Sequence, residues 1–414
     1  MINPTLEFLY GLHNRGIKLG LKNIESFLKI CGNPHKEIQT IHLAGTNGKG
    51  STASIISKIL QKNGYKVGLY TSPHLIHFNE RVRIDGVPIS NESIIEFIEK
   101  HKQTLIDSSI TFFEATTALA FEYFAKQKVD IAIIETGLGG RLDSTNVLSP
   151  IQTIITEIHY DHTHILGDSI EEITAEKCGI FKNNTPSITT NSDKRVIDTI
   201  KEHASLKRSE VSFIEKEDII VENQTSESIS FHYDSQHFSL PQTGSYQTQN
   251  AVLAIKTCQN NFNTLTEKDI QLGLDQWCWP GRMQLMKPDF FYDVAHNKNG
   301  IGSLVKDLKT IYNEKPIGVL VLKKDKINPE LVDMVSKAFD RLIISTVPSK
   351  DILNKEEITN NSLLQKFEFI DNLHEAMTII DKAEHSGGKV IFGSHYIAKD
   401  VYNFFDFSFD NGII

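Results

Sequence analysis

The segment HLAGTNGKGSTAS at 42–54 constrains the fold more than any other stretch of this chain. A β-branched run ends at Ala44, a glycine-rich loop follows, and a helix is expected from about Ser51 to Asn63. Such a loop points successive backbone N–H groups into one concavity at a helix N-terminus, where anions are favoured. Gly45, Thr46, Asn47, Gly48, Lys49, Gly50, Ser51 and Thr52 are the expected nucleotide contacts. Lys49 would reach the β- and γ-phosphates, and Ser51 or Thr52 would offer a hydroxyl to Mg²⁺. The strict pattern places Ser or Thr directly after the lysine, whereas here Gly50 intervenes. An ordinary glycine-rich turn is the competing reading. The strand, loop, lysine and helix occurring together favour the nucleotide.

Short β-branched runs alternate with helical segments along most of the chain. QTIHLAG (39–45), KVGLYTS (66–72), DIAIIETG (130–137) and QTIITEI (152–158) read as strands, with helices around 91–106 and 114–127. That order implies βαβ units and a mostly parallel sheet. Segment 208–243 carries SFIEKEDIIVE, SISFHYD and HFSLP, which read as a small antiparallel β insert attached to the main domain. WCWPGRMQ (277–284) reads as a turn, after which FFYDVAH, IGVLVL, RLIIST and KVIFGS restart the alternation. The expected class is α/β. A P-loop ATPase domain with a mostly parallel sheet would span 1–284, with a linker at 285–288. A smaller Rossmann-like α/β domain would span 289–414. At about 150 residues per domain, 414 residues accommodate two.

The 43 basic and 52 acidic residues give a net charge of −9, which argues against a protein built to coat nucleic acid. The four cysteines (Cys31, Cys178, Cys258, Cys278) form no CxxC pair, so neither a disulfide framework nor a zinc motif is indicated. The N-terminal residues carry polar groups throughout, unlike a signal peptide. No stretch approaches the ~18 apolar residues that a membrane span requires. A cytoplasmic monomer without membrane or nucleic-acid partners is expected.

Further motifs carry a resemblance. IHLAGTNGKGST (41–52), YTSPHLIHFNERVRIDG (70–86), FFEATTALAF (112–121), IETGLGGRLDSTNV (134–147), DHTHILGDSIEEITAEKCGIF (161–181), PGRMQ (280–284), DVAHN (293–297) and GSHY (393–396) follow one another in a known order. Over nearly its whole length the chain resembles the dihydrofolate synthase/folylpolyglutamate synthase family, the folate branch of the Mur ligases. The resemblance implies ATP as co-substrate and Mg²⁺ held by Ser51, Ser72, Glu135 and His162. Read alone, Glu135 is a strand-end carboxylate and His162 a loop imidazole. Asp161 would stand behind the metal or in the catalytic loop.

By the same resemblance Lys177 is carbamylated by CO₂, giving a carboxylate on a long stem that acts with Lys49, His162 and Arg282 in catalysis. Read alone, a helical lysine is a solvated side chain. The resemblance assigns Thr111, Phe112, Phe113 and Glu114, before a helix, to the pteroate loop. Core packing is the competing reading for one of the phenylalanines. Leu142, Asp143 and Ser144 match the second pterin-side loop. Asn250, Arg282 and Asp293 match ATP contacts, and His296 matches the glutamate side. A monovalent cation such as K⁺ is also compatible. Tyr246 stands where the family often has His, and Lys298 follows DVAHN where Pro is common.

The implied reaction joins L-glutamate to dihydropteroate, to the glutamate chain of a reduced folate, or to both. A substrate carboxylate attacks the γ-phosphate, and the amino group of glutamate then attacks the acyl phosphate. A peptidoglycan Mur ligase is the nearest rival, but the 44 residues before Gly45 are too few for a UDP-binding domain. An ATP-binding regulatory protein on the same scaffold would not need Lys49, Ser72, Glu135, His162 and Lys177 together. A dinucleotide-dependent redox enzyme would need a GxGxxG with a downstream acid, and none is placed correctly.

Overall fold

A computed structural model describes residues 2–16 and 20–408. Two compact units emerge: 2–219 with 249–276, and 220–248 with 277–408.

In the first unit the buried run Thr40–Ala44 is β1, near the middle of a sheet. Its companions are β2 (Val67–Tyr70), β3 (Val82–Ile84), β4 (Val87–Pro88), β5 (Ile131–Glu135), β6 (Gln152–Ile155), β7 (Ser187–Thr189) and β8 (Val211–Phe213). The spatial order is β4-β3-β2-β5-β1-β6-β7-β8. The β2–β3 and β3–β4 pairs are antiparallel. All the other pairs are parallel. Residues of β1, β2, β5 and β6 are buried throughout, as expected of parallel strands covered on both faces. Parallel register puts Leu43 opposite both Glu135 and Ile154, so the loops after β1, β5 and β6 leave the same edge. That carboxyl edge, where the chain departs to either side of β1, is where open α/β sheets bind ligands.

The second unit holds two sheets. The strands β9 (Ile220–Gln224), β10 (Ile229–Tyr233) and β11 (Gln236–Leu240) form an antiparallel meander. A six-stranded sheet uses β12 (Gln284–Lys287), β13 (Phe290–Asp293), β14 (Ile317–Val321), β15 (Arg341–Thr346), β16 (Glu368–Asn372) and β17 (Lys389–Phe392). Its order is β12-β13-β17-β14-β15-β16, parallel except for β12 against β13. Its core includes Phe339 stacked on Phe392 at 5.2 Å.

The α/β class holds, but the expected boundary needs two corrections. Residues 285–287 belong to strand β12, paired with β13, and do not form a linker. The β insert groups with the C-terminal unit. Gln224 of β9 donates to Asp307, whose carboxylate also accepts the Ser245 N–H, and this fastens the meander to helix Lys298–Tyr312. Val211–Phe213, expected in the insert, instead extends the first sheet as β8. Among the described residues no helix is long and apolar enough to cross a membrane.

Candidate functional site

The loop after β1 is shaped by two glycines in the left-handed half of backbone space. Gly45 has φ +157°, and a Cβ there would sit 1.9 Å from Oγ1 of Thr156. Gly48 has φ +89°, and a Cβ there would sit 2.3 Å from Oδ1 of Asn250. Helix Lys49–Lys62 starts directly after Gly48, which brings no side-chain cap. Its first-turn N–H groups are therefore suited to an anion. The helix begins two residues earlier than the sequence suggested, so Lys49 is its first residue. Two of the loop amides, those of Thr46 and Asn47, are turned to a neighbouring loop. Thr46 and Asn47 donate their N–H groups to the Glu157 carbonyl at 2.7 and 3.3 Å. The Thr46 hydroxyl donates to the His159 carbonyl and accepts the His159 N–H. Thr46 thus stitches the phosphate loop to the 156–162 loop. The Thr52 hydroxyl donates to Asn250 at 3.4 Å, leaving buried Ser51 as the better placed hydroxyl for a cation.

Three charged groups gather at the start of this loop. Nζ of Lys49 donates to the carbonyls of Gly45 and Thr46 at 3.1 and 3.2 Å and lies 3.9 Å from Oε1 of Glu135. Nζ of Lys177, from helix Ile170–Cys178, donates to the same Gly45 carbonyl at 2.8 Å. Lys177 is only 4% exposed, which overturns its reading as a solvated side chain. Burial, reinforced by the nearby Lys49 charge, pushes its amine down to about 7. Glu135 ends β5, and its Oε2 accepts the Ser72 N–H at 2.9 Å. The turn bearing Ser72 is itself held by buried Glu80, which accepts the N–H groups of Leu75, Ile76 and His77. Carboxylate and hydroxyl oxygens on Glu135, Ser72 and Ser51 are the donors that Mg²⁺ prefers, so this set fits the ion. His162 is exposed, adopts φ +50°, and takes a bond from its own N–H to Asp161 at 2.8 Å.

The second loop group behaves differently from its expectation. Thr111 caps helix Phe112–Gln127, and Phe112, Phe113 and Glu114 lie in its first turn and not before it. Glu114 is buried, and its Oε2 accepts the Thr111 N–H, the Thr111 hydroxyl and Asn23. Phe112 is core: it stacks on His13 at 3.9 Å, meets Tyr10 and Phe78, and lies under the Arg81 guanidinium at 5.3 Å. Phe113 is half-buried against Gly137. Asp143 accepts four bonds, from the N–H groups of Gly137, Leu138 and Thr145 and from the Thr145 hydroxyl. With that hydroxyl hydrogen directed at Asp143, Nε2 of buried His42 donates to Thr145 at 2.8 Å. Burial pushes His42 down to about 3, so the ring stays neutral. Asp143 therefore fixes the glycine loop from beneath. Ser144 is buried and bonded to Thr117, and Leu142 is half-buried beside them.

In the second unit Asp293 ends β13, buried, and accepts the N–H groups of Met283 and Ala295 and the hydroxyl of Tyr246. Burial raises its carboxyl, and Arg282 partly offsets this. Arg282 is half-exposed, with its own carbonyl taken by Gln242. Nδ1 of His296 lies 3.0 Å from the Val294 carbonyl. Tyr246, Glu80, Arg81 and His42 had been assigned no role from sequence. Glu80 and Arg81 stand within YTSPHLIHFNERVRIDG, but nothing in that segment says that its adjacent Glu and Arg fold inward.

A profile of the Mur ligase middle domain matches residues 43–258. The dihydrofolate synthase/folylpolyglutamate synthase of Bacillus subtilis is 32% identical, with 95% of this chain and 96% of that protein covered. The folylpolyglutamate synthase structure from Thermotoga maritima superposes with a TM-score of 0.83 at 33% identity, covering 97% of each chain. A solved complex of folylpolyglutamate synthase with AMPPCP and folate gives 0.81 at 29% identity, covering 96% of this chain and 98% of that one. With this agreement across its length, the chain belongs to the dihydrofolate synthase/folylpolyglutamate synthase family of Mur-type ligases.

Proposed function

We propose that this protein is an ATP-dependent ligase that joins L-glutamate to dihydropteroate, to the glutamate chain of a reduced folate, or to both. The observation that carries the reading is the convergence of Lys49 and Lys177 on the Gly45 carbonyl, with Glu135 beside Lys49, in the loop that leads into an uncapped helix. The relatives named for this activity and the relative solved with a nucleotide analogue and folate support the choice of substrates.

In this reading the first-turn amides of helix Lys49–Lys62 and the Lys49 ammonium hold the β- and γ-phosphates. The acceptor carboxylate attacks the γ-phosphorus, ADP leaves, and an acyl phosphate forms. The uncharged amine of glutamate attacks the acyl carbon, and phosphate departs from the tetrahedral intermediate. Little covalent help is needed, so positioning and charge neutralisation dominate. Arg282, with its planar fork, supplies further positive charge for the nucleotide, alongside Asn250 and Asp293. Ser51, Ser72, Glu135 and His162 would hold Mg²⁺, whose charge when bound offsets that of the phosphates. Phe113 offers the partly exposed ring for a flat pterin, whereas Phe112 packs in the core against His13, Tyr10 and Phe78. His296 and the C-terminal unit serve glutamate.

Lys177 is suited to carbamylation. Only a neutral amine attacks CO₂, and an amine titrating near 7 is substantially neutral at physiological pH. The reaction forms an N–C bond and releases one proton. The carbamate nitrogen retains one hydrogen, so its bond to Gly45 can persist.

A ligation assay with labelled glutamate, ATP and Mg²⁺ tests the function, with dihydropteroate and tetrahydrofolate as alternative acceptors. ATP-dependent glutamylation of at least one is expected. Failure with both would reject the reading.

A further inference from the structure

Away from the phosphate loop, three side chains from three helical segments converge in the first unit. Cys31 ends helix Lys22–Ile30, His101 lies on helix Asn91–Asp107, and Glu122 lies on helix Phe112–Gln127. Sγ of Cys31 is 3.9 Å from Nε2 of His101, which is 2.8 Å from Oε2 of Glu122. One ligand atom from each falls within 4.8 Å of both others. We propose that Cys31, His101 and Glu122 form a second metal site, for a thiophilic divalent cation of the zinc type, distinct from the Mg²⁺ donors at the phosphate loop.

The chemistry of the donors selects the ion. Thiolate, imidazole and carboxylate are the three donor types of protein zinc sites, whereas Mg²⁺ would reject the sulfur. Three protein donors leave a fourth position for water. Tetrahedral bonds of about 2.0–2.3 Å separate neighbouring donor atoms by roughly 3.3–3.7 Å. The observed separations lie on either side of that range, so small side-chain rotations close the site.

The surroundings suit the role. His101 is 4% exposed, and its ring is fixed by Phe27 at 5.5 Å and Phe97 at 4.9 Å. Cys31 and Glu122 are half-buried, which leaves an entry path for the ion. The other Glu122 oxygen accepts Lys100 at 2.8 Å, an outer partner that orients the carboxylate with Oε2 toward His101. Lys100 is mostly exposed, so solvent screens its repulsion of a cation. On binding, the thiol proton leaves to solvent and a metal–sulfur bond forms. The competing reading is a plain Lys100–Glu122–His101 polar chain with a cysteine beside it.

The experiment titrates Co²⁺ into the nucleotide-free full-length protein and records its absorption. The proposal expects a sulfur-to-cobalt charge-transfer band that saturates at one equivalent and is displaced by Zn²⁺. Zn²⁺ should also raise the melting temperature. Cys31→Ser should abolish the band, and Glu122→Gln should weaken Co²⁺ binding by more than about the tenfold that loss of an outer partner costs. Both variants should keep the parent's ligase activity, which verifies their folding. The exposed cluster of Glu222, His232 and His237 could also take Co²⁺, but it lacks sulfur and cannot produce this band. No band in the parent, or a band that survives Cys31→Ser, would overturn the proposal.

Discussion

The buried amine of Lys177 donates to the carbonyl of Gly45, 132 residues earlier in the chain and at the first position of the phosphate loop. The same carbonyl receives Lys49. With the Lys177 amine depressed to about 7 and so substantially neutral, the Lys49 ammonium, 3.9 Å from the Glu135 carboxylate, is the cation at the place assigned to phosphate.

Lys49→Met should leave the fold intact and lower ligation by on the order of a hundredfold or more, the usual cost of removing one preorganised charge-stabilising donor. Initial rates at saturating ATP, with circular dichroism as the folding control, check this. Near-parental turnover would move the phosphate site elsewhere.

Lys177 ties activity to CO₂ and stability to pH. Lys177→Ala and Lys177→Arg should both be nearly inactive, and short carboxylic acids should partly restore only the alanine variant. In CO₂-free buffer the unfolded lysine keeps its proton to about pH 10.4, whereas the folded amine releases it near 7. Between those values the unfolded chain binds more protons, so stability should rise with pH relative to Lys177→Met. Denaturant titrations at pH 7, 8 and 9 measure the difference. Parallel curves for the two proteins would show that the amine is not depressed.

Glu135→Gln keeps an acceptor for the Ser72 N–H and removes only the charge. The Mg²⁺ concentration for half-maximal activity should rise by at least about tenfold. A titration identical to the parent's would take the metal away from Glu135.

The two adjacent phenylalanines should separate packing from binding. Phe112→Ala removes a buried ring from contact with His13, Tyr10, Phe78 and Arg81, and should cost about 3–5 kcal/mol of stability. Phe113→Ala should cost less stability and raise the KM for the pteroate acceptor by up to about tenfold. Reversed effects would exchange the two roles.

Much of this arrangement was legible in the sequence because strand–loop–helix order writes itself into local patterns. The TIHLA strand, the glycine loop and the helix that follows need only neighbours to be inferred. The strand end at Glu135 was equally readable, and so was the restart at FFYDVAH, whereas the strand read as 66–72 stops at Tyr70, two residues before Ser72. The burial of Lys177 was not legible, because its partner is distant in sequence and nothing in EEITAEKCGIF announces an inward-facing lysine. Asp143 was assigned to the pterin side by resemblance alone, and nothing in its neighbours foretells its bonds to the loop. Its carboxylate instead supplies the acceptors that the loop's own amides require. The meander was misassigned because the bond that places it, Gln224 to Asp307, spans 83 residues and both ends are ordinary polar side chains.

The central claim is most directly tested by isotope transfer. With ATP, L-glutamate and an acceptor labelled with ¹⁸O in its carboxylate, an acyl phosphate route delivers one ¹⁸O to the released inorganic phosphate. ADP and a product heavier by one glutamyl residue should form together. Release of AMP and pyrophosphate, or phosphate free of ¹⁸O, would contradict it.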